Sequence, residues 1–255
     1  GKNNRELAGN LHLEGFQNKQ PLWDLSADTG MTSGGFPLKN IRLHRPGKPG
    51  LITAEGMLTV NGPAPSLDLQ ASATEIDLSS DFKIPTNLSG TLTFAGGLKQ
   101  YRGHIVLTNK GKGWHAIRMA GDYSGNDKNM ALNAIQGTAL GGALGGALHI
   151  DWQNGLAVKG VLTGRNLNPK SIDPGWAGII NFDLEGKVSV SQQKAISGEV
   201  ACMLRQSRLH GQQLTGDLRA TFADNDIRIQ HMALLGKGLD RKSTRLNSSH
   251  IAVSR

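Results

Sequence analysis

Eight histidines, at positions 12, 44, 104, 115, 149, 210, 231 and 250, are the side chains best suited to acid–base or metal chemistry near neutral pH. None falls in an HExxH pattern, and no pair stands at ligand spacing with a second Cys or an acidic cluster, so spacing assigns no metal ligands. His104 and His149 alternate with apolar neighbours, which turns both towards solvent on extended strands. The triplet Asp224, Asn225 and Asp226 begins like a calcium loop but lacks the later spaced carboxylates and closing Glu, and reads as a hairpin tip. The run GGALGG at 141–146 has neither the GxGxxG register nor a following Lys-Ser/Thr, so a tight turn or flattened strand is expected there rather than a phosphate cradle. TSGG at 32–35 is not a GxSxG nucleophile elbow. Cys202 alternates with Val200 and Leu204 and reads as a small inward-facing apolar side chain. The expectation is a protein without catalytic residues, metal or cofactor, and not an enzyme.

The elements that carry these residues announce themselves by a period of two. Leu67, Leu69, Ala71 and Ala73 alternate with Asp68, Gln70, Ser72 and Thr74. The same pattern recurs at Leu88, Leu92 and Phe94, and at Tyr101, Ile105 and Leu107. It is cleanest where Ile180, Phe182, Leu184, Val188 and Val190 alternate with Asn181, Asp183, Glu185, Lys187 and Ser189. Further runs centre near residues 54, 118, 132, 148, 160, 200, 218 and 229, which predicts about a dozen strands and no crossover helices. The fold class is all-β, an antiparallel meander. Residues 1–49 are expected to be irregular, with LHLE at 11–14 fitting one strand, and 50–165 to form the first part of the sheet. A Pro-containing loop follows at 166–178, and the sheet continues over 179–239.

Composition excludes several classes. Gly supplies 34 of 255 residues with no triplet period and only nine Pro, which argues against collagen and Pro-rich disorder. A single Cys forbids an internal disulfide. No apolar run approaches the ~18 residues of a membrane-spanning helix. The formal charge of +8 is inflated by the C-terminus. Residues 240–250 read DRKSTRLNSSH, the translation of a common short-read sequencing adapter, and 240–255 are expected to be an unstructured artefact. Residues 241–255 hold four of the 28 basic residues and none of the 20 acidic ones, so the excess without them is +4. The remaining basic residues are interspersed with acidic ones and lack interleaved aromatics, which argues against nucleic acid.

Such a sheet has one apolar face to cover. It can pack as a sandwich, close as a barrel, or curl into an open groove filled by something else. The side chains expected on that face are Leu92, Phe94, Leu148, Ile150, Val158, Leu162, Ile180, Phe182, Leu184, Val188, Val200, Leu218 and Phe222. They are mostly aliphatic and suit acyl chains as well as a core. A structural or adhesive β module, such as part of an autotransporter passenger, is the alternative in which the same residues pack on one another. An outer-membrane barrel is disfavoured by six Phe, four Trp and two Tyr, too few for aromatic girdles.

Residues 130–153, MALNAIQGTALGGALGGALHIDWQ, and 156–188, LAVKGVLTGRNLNPKSIDPGWAGIINFDLEGKV, resemble the TamB family of long periplasmic proteins of Gram-negative bacteria, related to the AsmA-like group. The resemblance is carried by an alternating strand ending in Asp151, Trp152 and Gln153, a strand with Gly160 and Leu162, the loop with Asn166 and Asn168, then Pro174 and Trp176 before Gly186. It extends more loosely over 50–239. It implies a β-taco groove for phospholipid acyl chains running between the two membranes, and a part in outer-membrane protein and autotransporter assembly. It also implies an inner-membrane anchor and a contact with the outer-membrane barrel TamA, both through segments that this sequence does not contain.

Overall fold

A computed structural model of the chain describes residues 7–17, 20–79, 86–110, 116–190, 195–223 and 226–236, and the backbone of 250–252. The chain divides into two units that meet in sequence at Asp127 and Lys128. Unit 1 holds β1 (Leu7–Gln17), β2 (Gln20–Met31), β3 (Phe36–His44), β4 (Leu51–Thr59), β5 (Ser66–Ile76), β6 (Leu88–Gly97), β7 (Gln100–Lys110) and β8 (Ala116–Gly125). Unit 2 holds β9 (Asn129–Ala139), β10 (Gly142–Asp151), β11 (Leu156–Leu167), β12 (Gly178–Val190), β13 (Ile196–Leu209), β14 (Gln212–Ala223), β15 (Asp226–Gly236) and the short β16 (His250–Ala252). Within each unit every described pairing between strands is antiparallel and joins a strand to its neighbour in sequence. The all-β meander is therefore present, with sixteen strands where about a dozen were expected. No described pairing joins the first strand of a unit to its last, so each unit's sheet is open rather than closed as a barrel.

Three strands lie in the N-terminal region expected to be irregular, β1 over the LHLE run and β2 and β3 beyond it. The cause is the placement of its Gly and Pro residues: Gly34 and Gly35 sit in the β2–β3 turn, and Pro46, Gly47, Pro49 and Gly50 in the β3–β4 connection, which leaves the segments between them free to extend. The Pro-containing loop is shorter than its expected 166–178, because β11 runs on to Leu167. Between Asn168 and Ala177 the chain makes a 3-10 turn over Pro169–Ser171, capped by the Asn168 side chain accepting from the Lys170 N–H. The GGALGG run enters β10 through a two-residue turn in which Leu140 and Gly141 both have positive φ (51° and 73°), matching the type I′ geometry of tight hairpins. Asp224 and Asn225 lie outside the described residues, as does most of the tail after residue 236; the backbone of His250–Ala252 pairs with Asp226, Ile227 and Arg228.

Four bulges interrupt the ladders in a common form. A residue with positive φ (Asn40, Glu75, Ala134 or Asn166) precedes an aliphatic one (Ile41, Ile76, Ile135 or Leu167) at a register shift. Ile76, Ile135 and Leu167 are buried. The backbone N–H groups displaced from the ladder find side chains on the next strand. Ser89 Oγ accepts from the Glu75 N–H at 3.1 Å, and Asn181 Oδ1 accepts from the Asn166 N–H at 2.7 Å.

Candidate apolar binding face

Residues paired in an antiparallel register point to the same side of a sheet, so the pairings sort every side chain onto one of two faces. In unit 2, Ile150 stands opposite Val158, Val158 opposite Val188, and Leu162 opposite Leu184. The row continues with Leu184 opposite Cys202, Cys202 opposite Leu218, and Leu218 opposite Met232. Leu148, Ile180, Phe182, Val200 and Phe222 fall on this same face, facing Gly160, Leu167, Leu204, Gly186 and Gly198. In unit 1, Leu92 faces Ile105 and Ala71, and Phe94 faces Leu69 and Gly103. All thirteen side chains expected on an apolar face thus lie on the apolar face of their own unit.

That face has little over it. Among the described residues the buried apolar set is Ala27, Ile76, Tyr123, Ile135, Ala139, Leu167, Leu214 and Ala220, and no large side chain is fully buried. Twelve of the thirteen are half-buried and Val188 is exposed at 36%. Leu156, Ile196, Ile227, Met232 and Leu234, on the same face of unit 2, are exposed as well. Glycines make the surface smooth. At Gly164 an added Cβ would come within 2.5 Å of the Phe182 ring, and at Gly198 within 2.4 Å of the Phe222 ring, so each ring lies flat across the neighbouring strand. Tyr123 does the same over Gly103 in unit 1, its hydroxyl donating to the Thr93 carbonyl at 2.7 Å beside the stacked pair Phe94 and Tyr101. Cys202 sits between Leu184 and Leu218, and burial, with the Asp183 charge as a lesser cause, pushes its thiol up from the ordinary value.

The opposite face is ionic. Asp183 receives Arg165 Nη2 at 2.5 Å and Arg205 Nε at 2.6 Å, and the hydrogen bonds from Arg165 and then Arg205 hold its carboxyl below the usual range. Asp183 and Arg205, with Asp217 and Arg219, border a concavity of about 720 Å³ that also exposes Val161 and Met203. His104 faces solvent, 2.8 Å from Asp122, and His149 is likewise exposed. Trp152 and Trp176 are exposed outside the strands, after β10 and before β12. A sequence-family model described as "TamB, N-terminal domain" matches residues 50–230, most of the chain and parts of both units. The chain belongs to the TamB family. TamB proteins are a translocation-and-assembly family rather than one known for enzymes, in keeping with a face built of Leu, Val, Ile and Phe. No curated protein and no solved structure matches this TamB chain. Among its described residues no helix is long and apolar enough to cross a membrane.

Proposed function

We propose that the apolar faces of the two sheets bind phospholipid acyl chains, making this chain a section of a periplasmic conduit anchored in the inner membrane. The conduit carries phospholipid towards the outer membrane and supports assembly of outer-membrane proteins and autotransporters, where a barrel of the TamA type is the partner of a segment outside this sequence. The observation that carries the reading is the half-covered aliphatic face of unit 2, in register from β9 to β15, in a member of the TamB family. Sixteen methylenes exposed to water cost on the order of 13 kcal/mol at ~0.8 kcal/mol each, and an aliphatic face removes much of that cost while headgroups stay wet. The work is passive shielding and uses no catalytic residue.

The test is native mass spectrometry, with lipid extraction, of the chain exported to the periplasm and purified without detergent. Co-purifying phospholipid that is lost in Phe182→Asp is the expected result. A folded, lipid-free protein overturns the reading and leaves a structural or adhesive module.

A further inference from the structure

We propose that His12, Glu14 and Asp24, on the polar face of the β1–β2 hairpin, form a site for a divalent ion of the zinc class. His12 and Glu14 are two residues apart on β1, so both project to the side opposite Leu11 and Leu13. Glu14 and Asp24 are direct register partners. Like charges in that position destabilise a sheet unless a cation sits with them. The His12 ring is already between them, with Nε2 3.2 Å from Glu14 Oε1 and Nδ1 3.6 Å from Asp24 Oδ1, and one ligand atom from each residue lies within 4.8 Å of the others. Ligands at 2.0–2.2 Å around a tetrahedral ion stand roughly 3.4 Å apart, so three donors within 4.8 Å of one another need only small side-chain rotations, with one His12 nitrogen turned to the ion, to reach that spacing. A second imidazole stands in the same row, since Asp24 pairs on its other side with His44 of β3. Imidazole and carboxylate donors together suit Zn²⁺ and neighbouring transition ions, rather than Ca²⁺ or Mg²⁺, which prefer all-oxygen sites, or Cu⁺, which prefers sulfur. An ion there ties β1 to β2. Linear spacing hides the site because its ligands meet only through the register of two strands.

The test titrates ZnCl₂ into the full chain against a chromophoric chelator. The control is His104→Ala, which removes an exposed imidazole paired with a single carboxylate, Asp122. The expected result is saturable binding that falls at least tenfold in His12→Ala and in Glu14→Gln and is unchanged in His104→Ala. Slower amide exchange in β1 with Zn²⁺, absent in the two site variants, is the second expected readout, and circular dichroism checks that the variants fold. Binding absent from the folded chain, or lowered as much by His104→Ala as by His12→Ala, overturns the proposal.

Discussion

Asp183 shows how a single carboxylate on the wet side of the sheet joins three strands. Arg165 of β11 and Arg205 of β13 close on it from both sides, and Arg165 Nη1 also donates to the Gly164 and Phe182 carbonyls. Because the folded-state pKa is depressed, the contribution of Asp183 is present above its unfolded value of about 3.9 and is lost as pH falls through the folded one. Asp183→Asn should therefore lower the urea midpoint at pH 7, and the gap to the parent should close below about pH 4. An equal gap at pH 3 and pH 7 contradicts this account. The alternation of Asn181, Asp183 and Glu185 with apolar residues already placed Asp183 on the polar face. Its two partners were not legible, because they depend on which strands neighbour β12 and in what register.

The bulges matter most at the level of strands. Asn181 serves two ladders at once: Oδ1 accepts from the Asn166 N–H, Nδ2 donates to the Gln206 carbonyl, and its own N–H donates to Ser207 Oγ. Asn181→Ala removes the acceptor of a solvent-exposed N–H, at a cost of about 0.5–1.5 kcal/mol. The checks are a lower denaturation midpoint and faster exchange at the Asn166 amide than at amides of β14. Period-two runs made most strands readable, since each has one apolar side. The loop was expected to start at Asn166 because 166–178 holds two Pro, but the shift between Gly164 and Leu167 lets β11 continue to Leu167. Likewise the apolar-face residues were legible from alternation alone. The His12 cluster was not, because the pairing of Glu14 with Asp24 exists only once β1 and β2 are in register.

For the molecule as a whole, membership of the TamB family and a sparse core point the same way. A packed module should not survive a carboxylate on its apolar face, where an unpaired buried charge costs several kcal/mol. Leu184 and Leu148 are only half-buried, so Leu184→Asp and Leu148→Asp should keep the β-sheet circular dichroism of the parent while losing bound phospholipid. Loss of the sheet signal in both variants tells against an open face. The neighbour-only pairing within each unit bears on how the chain comes to be folded. Within each unit every described strand after the first finds its partner in the segment just before it, so contacts are local and closure entropy stays small at each step. A chain emerging N-terminus first need hold no strand in reserve for a distant mate, and each hairpin can add to the growing edge as it arrives.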